Sequence, residues 1–160
     1  MGVAGSGKTT VAKLFAKKTG AIYYEGDDFH SPENIGRMRA GIPLTDSNRE
    51  QWLQALRKII LRSLATEEFA VLTCSALKAR YRDTLAAADS RIWFVHLTGP
   101  RSLIEERLNN RHGHFMSPTL LASQFDILEP PADALVFDCS RPPNEIVDEL
   151  VQALGHDISV

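Results

Sequence analysis

Short apolar runs alternate along this chain with longer stretches in which apolar residues recur every three or four positions. Residues 21–24 (AIYY), 69–74 (FAVLTC), 92–97 (IWFVHL) and 134–138 (ALVFD) are too short for helices and read as buried strands. A helical pattern fills 11–18. Ser31-Pro32-Glu33 supplies a capping hydroxyl, a proline at the first helical position and an acid in the first turn. Gly41-Ile42-Pro43 breaks the chain, and Thr45-Asp46 then opens a long helix with Trp52, Leu53, Leu56, Ile59, Ile60 and Leu64 on one stripe. Further helices are expected at 79–88, 102–110, 120–128 and 143–154, with 111–118 as a mobile stretch. Apolar strands alternating with helices predict an α/β fold, a parallel sheet with helices on both faces. The expectation is one domain over 1–160 with a small lid near 107–125.

Composition narrows the function. A chain of 160 residues with 44% hydrophobic and 24% charged residues has the make-up of an ordinary soluble domain with one core. A formal net charge of −2 lacks the basic excess of a nucleic-acid binder, so no nucleic-acid partner is expected. No apolar run reaches bilayer length and the start has no signal-like apolar segment, which predicts no membrane partner. Cys74 and Cys139 lie in apolar runs without a C-x-x-C pattern, which points to a reducing, cytoplasmic setting.

Gly2-Val3-Ala4-Gly5-Ser6-Gly7-Lys8-Thr9 fits G-x-x-x-x-G-K-[ST] without a gap, and Thr10 follows in the helix. Glycines permit positive φ, which turns successive N–H groups toward one point suited to phosphate oxygens. Lys8 is then placed for the β- and γ-phosphates of ATP and the Thr9 hydroxyl for Mg²⁺. The competing reading, a flexible glycine-rich tail, is disfavoured by the helical pattern directly after Thr9. A strand ordinarily precedes such a loop, and none does here. Either the true start lies upstream or the chain lacks its central strand, which would open two strand edges and anchor the loop on one side only.

Glu25-Gly26-Asp27-Asp28-Phe29-His30 follows the first strand-like run. Carboxylates at the carboxyl edge of a sheet can orient an alcohol, accept its proton and help hold Mg²⁺. The same composition also suits a plain surface turn.

The stretch GDDFHSPENIGRMRAGIPLTDSNREQWLQAL resembles the signature of the gluconate kinases, as do CSALKARYRD at 74–83 and GHFMSPTLLASQF at 113–125. The resemblance implies the nucleoside-monophosphate-kinase-like branch of the P-loop NTPase fold, phosphorylation of D-gluconate at its 6-hydroxyl by Mg·ATP, and often a homodimer. It makes Asp27 the base facing the sugar hydroxyl and Glu25 an indirect support for Mg²⁺, and it ranks Asp28 lower. His30 either contacts substrate hydroxyls or braces the turn. For the gluconate carboxylate and hydroxyls the candidates are Arg49, Lys78 and Arg82. Arg107 and Arg111 share a helix face and are either lid arginines over the phosphates or partners of Glu105 and Glu106. Gln124 either contacts substrate or braces the lid, and residues 140–143 form the expected adenine edge. Cys74 is expected to be a buried thiol without a nucleophilic role. Two alternatives stand: a kinase for a related sugar acid or polyol, and a nucleotide-binding protein without catalysis.

Overall fold

The computed structural model describes residues 1–86, 88–110 and 118–155, without the side chains of 118 and 119. The first helix, α1 (Lys8–Thr19), buries Val11, Ala12 and Phe15 and stops at Gly20 in the left-handed region (φ 78°). β1 (Ile22–Glu25) runs into a 3-10 turn, Gly26–Phe29. Ser31 accepts from the Asn34 N–H at 3.2 Å and starts α2 (Pro32–Arg39). A capping box between Thr45 and Asn48 starts α3 (Asp46–Ala65), which buries Trp52, Leu53 and Leu56 as its apolar stripe predicts. There follow β2 (Ala70–Thr73), α4 (Ala79–Ala86), β3 (Val95–Thr98), α5 (Arg101–Asn109), α6 (Pro118–Ile127), β4 (Leu135–Asp138) and α7 (Pro143–Gly155). No helix among the described residues is long and apolar enough to cross a membrane.

The strands form two parallel pairs. β1 and β2 pair from Ile22–Ala70 to Glu25–Thr73, and β3 and β4 pair from Val95–Leu135 to Thr98–Asp138. Between the pairs runs a largely apolar groove of about 840 Å³ flanked by Phe15, Val71, Leu72, Phe94, Val95 and Leu97. As expected, no strand bridges the two pairs among the described residues, although Met1 occupies part of the β3 edge. One-sided anchoring of the loop is not found: the Met1 ammonium donates to the Val95 carbonyl, Leu97 N–H donates to Met1 O at 3.0 Å, and Gly2 N–H donates to Ser75 O at 3.1 Å. The loop is thus tied to both pairs.

Element limits differ from expectation where turns intervene. Residues 92–94 are not strand; Ile92 N–H closes a turn on Asp89 O at 3.2 Å and Trp93 is 50% exposed. α4 ends at Ala86, and the 3-10 turn after β1 has no periodic signal.

The buried side chains form two principal clusters. One holds Val3, Ala4, Phe15, Ile104, Leu121 and Ile146 under the glycine-rich loop. The other gathers Trp52, Leu53, Leu56, Cys74, Tyr81 and Leu85 between α3, β2 and α4. A small third cluster, Met38, Leu44 and Leu120, joins α2 to α6. Gly26 is tightly confined: a Cβ there would lie 2.0 Å from Thr73 O. Gly26→Ala should therefore cost about 2–3 kcal/mol, lowering Tm by roughly 5–10 °C. Calorimetry checks this, and an unchanged Tm would show that the turn and β2 are not in hard contact.

Candidate active site

Glu25 at the end of β1, Ser75 just after β2 and Cys139 just after β4 line one cleft together with the glycine-rich loop. Gly5 and Gly7 adopt φ 81° and 92°, a region closed to most side chains. Gly5 is also confined, since a Cβ would sit 2.9 Å from Leu108 Cγ. Gly7 gives α1 no side-chain cap, which leaves the first-turn N–H groups to an anion. Lys8 Nζ donates to Val3 O at 2.8 Å and Ala4 N–H donates to Gln124 Oε1 at 2.7 Å. A cleft of about 320 Å³ runs from this loop past Glu25, Asp27, His30, Arg49 and Arg107.

Glu25 ends β1 with its carboxylate surrounded by neutral donors. Thr9 Oγ1 donates at 2.9 Å, Tyr23 Oη at 2.5 Å, and Thr73 Oγ1 donates as well. Burial works to raise its pKa, but the hydroxyl donors and the Asp27 N–H outweigh it, so the group sits below the usual carboxylate range. A hydroxyl and an ionised carboxylate side by side are hard oxygen ligands of the kind Mg²⁺ takes.

The side of the cleft away from the loop is formed by α3 and the turn after β1. Arg49 and His30 are each only 8% exposed, and Arg49 Nε and His30 Nδ1 have no hydrogen-bond partner among the described residues. His30 stacks on Trp52 at 4.3 Å with an interplanar angle of 11°. Burial, and then the charge of Arg49, push His30 down to about 4. The ring is therefore neutral near pH 7 and offers one donor and one acceptor.

The expected site residues divide. All of Ala4 to Thr10 line the cleft, as do Glu25, Asp27, His30, Arg49, Arg107 and Gln124. Gly2 and Val3 lie buried behind the loop. Asp28 is exposed and outside the cleft lining. Lys78 and Arg82 are not brought to the cleft. Lys78 pairs with Asp46 at 3.0 Å, alongside Arg80 and the Tyr81 hydroxyl. The Tyr81 hydrogen bond, then those of Lys78 and Arg80, hold the Asp46 carboxyl well below its ordinary range. Arg82 is buried and donates to Ala76 O and Leu77 O at 3.1 and 3.2 Å, bracing a turn in which Ala76 has φ 43°. Gln124 braces the loop through Ala4, and Arg141 and Pro143 of the expected adenine edge line the cleft. Arg111 and residues 111–117 lie outside the described residues. Sequence reasoning missed Tyr23 and Thr73. The two-residue spacing of Tyr23 and Glu25, which puts both on one face of a strand, was the available signal.

Cradle and acceptor pocket open into one cleft, the layout of a P-loop kinase acting on a small molecule. The shikimate kinase family model matches residues 4–154. A probable gluconokinase of Rattus norvegicus is 46% identical over 150 residues, covering 82% of this chain and 81% of that protein. A gluconokinase of Sinorhizobium meliloti superposes with a TM-score of 0.85 at 42% identity, over 98% of this chain and 89% of the other. An unliganded sugar kinase from a Janibacter species gives a TM-score of 0.90 at 42% identity, over 99% and 92%. The chain belongs to the gluconokinase family.

His30 makes stability depend on pH. The unfolded ring titrates near 6.5 and the folded one near 4, so between those values the unfolded chain binds more protons. Stability should fall as pH drops from 6.5 toward 4, and His30→Gln should flatten that slope. Denaturant titrations at several pH values check it, and an NMR pKa near 6.5 for folded His30 would overturn it.

Proposed function

We propose that the protein transfers the γ-phosphoryl group of ATP to the 6-hydroxyl of D-gluconate, giving 6-phospho-D-gluconate and ADP. The observation that carries this reading is Arg49, a guanidinium buried to 8% exposure in the same cleft as Asp27 and the phosphate cradle. Among the described residues Arg49 makes no ion pair and feels the Asp46 carboxylate only at longer range, so its burial is costly and a substrate carboxylate is the group that offsets it. Family membership supports gluconate as the acid.

Each residue then has a task. The loop N–H groups and the α1 N-terminus hold the nucleotide phosphates, and Lys8 follows the transferring phosphoryl. Thr9 and Glu25 are the residues that would hold Mg²⁺, which when bound neutralises phosphate charge. Arg49 takes the carboxylate, and neutral His30 hydrogen-bonds a substrate hydroxyl. Asp27 orients the 6-hydroxyl and receives its proton as the new oxygen–phosphorus bond forms and the bond to ADP breaks. Arg107, which lines the cleft, neutralises phosphate charge; the middle of the expected lid over 107–125, with Arg111, lies outside the described residues. Lys78 and Arg82 take no part, being committed to Asp46 and to the Ala76 turn. A homodimer belongs to the same reading on the strength of the family resemblance.

ADP release with Mg·ATP and D-gluconate, beside other sugar acids and polyols, tests the assignment. Strong turnover selective for gluconate is expected, and preference for another acceptor would displace gluconate. Lys8→Ala should lower kcat by about 10²–10³-fold. Asp27→Asn should lower kcat while leaving KM for ATP nearly unchanged, and full activity in either variant removes that residue from its role. Arg49→Met should raise KM for gluconate by roughly 10–100-fold, leaving KM for ATP within about twofold. An equal rise in both would place Arg49 in general folding rather than in carboxylate binding.

A further inference from the structure

Trp52 is 2% exposed and is not among the cleft-lining residues, yet it touches both ends of the turn that displays Asp27. Its indole Nε1–H donates to Gly26 O at 2.7 Å, at the start of the turn. Its ring face covers His30, which closes the turn with an N–H to Asp27 O at 3.3 Å. Gly26 is fixed from the opposite side as well. Its N–H donates to Thr73 Oγ1 at 3.2 Å, and Thr73 O leaves no room for a Cβ, which would fall 2.0 Å away. The turn is therefore clamped between β2 and α3, and the indole N–H is the only polar part of the α3 jaw that touches Gly26 among the described residues. A core aromatic needs no such donor; phenylalanine would fill the same stripe.

Arg49 lies three residues before Trp52 on α3, so both project from one helix face about 4.5 Å apart along the axis. One rigid helix thus carries the cation expected to hold the acid and the group that fixes the turn bearing Asp27. We propose that Trp52 is the positioning residue that sets the span between Arg49 and Asp27, and through that span the carbon-chain length of the acid the cleft accepts. The inference rests on the acceptor reading given above. A chain one carbon shorter or longer misplaces its terminal hydroxyl by about one C–C bond when its carboxylate is on Arg49. Misplacement on that scale can cost on the order of 10²-fold in rate.

Trp52→Phe keeps a ring against His30 and removes the N–H. In Trp52→Phe, kcat for gluconate should fall roughly 10–100-fold with KM for ATP within about twofold. The kcat/KM ratio of six-carbon over five-carbon aldonate should drop by about tenfold or more. A purely structural role would lower Tm and scale all acceptors together, and an unchanged ratio overturns the proposal. Should Trp52→Phe fold poorly, 3-benzothienylalanine at position 52 keeps the shape without the donor and must give the same loss of selectivity. A wild-type protein that phosphorylates no aldonate overturns the acceptor reading itself, and the role of Trp52 falls with it. An active wild type beside a variant of unaltered selectivity removes only Trp52.

Discussion

The Glu25 carboxylate is the point at which the two halves of the site are referenced to each other. Thr9 reaches it from α1, Tyr23 from its own strand and Thr73 from the neighbouring strand, while the Asp27 N–H meets it from the acceptor turn. None of these donors is a cation. A carboxylate paired with lysine or arginine would be ionised, but its field would be cancelled locally. Neutral donors keep this one ionised while leaving its field to act on whatever charge arrives beside Thr9. The arrangement is also geometrically strict, because the donors come from separate elements and their spacing is fixed by the parallel register of Glu25 with Thr73.

The opposite treatment is given to the cations around the acceptor pocket. Lys78 and Arg80 both lean on Asp46 at the exposed start of α3, where an ion pair is cheap to form and contributes little. Arg82 spends its donors on two carbonyls of a strained turn. Arg49, one turn further into α3, is buried over the Tyr81 ring with its Nε unmatched. Which of these cations keeps a donor unmatched follows from partners supplied by other parts of the fold.

That explains what the sequence could and could not tell. The glycine-rich loop is legible because its spacing fixes its own backbone, and the stripe of α3 because burial follows helical period. Residues 92–94 looked like strand because apolar runs do not reveal a turn closed on Asp89. Lys78 and Arg82 looked as available as Arg49. Their capture depends on Asp46, 32 positions away, and on a positive φ at Ala76, neither visible in local pattern. Trp52 was readable as a core residue, and its burial agrees; the hydrogen bond of its indole to Gly26 was not, because it depends on how α3 lies across the turn.

The buried side chains are partitioned to match the two tasks of the cleft. Val3 and Ala4, which underlie the phosphate cradle, belong to one cluster, while Trp52, Tyr81 and Cys74, which stand behind the acceptor turn, belong to another. Substitutions separated by such a boundary combine nearly additively. A lineage can therefore accumulate changes in the α3–α4 cluster that retune which hydroxyl acid is held, while the packing that handles nucleotide is left alone. Divergence of substrate taste on a constant phosphate-handling frame is an evolutionary path that this division of the core keeps open.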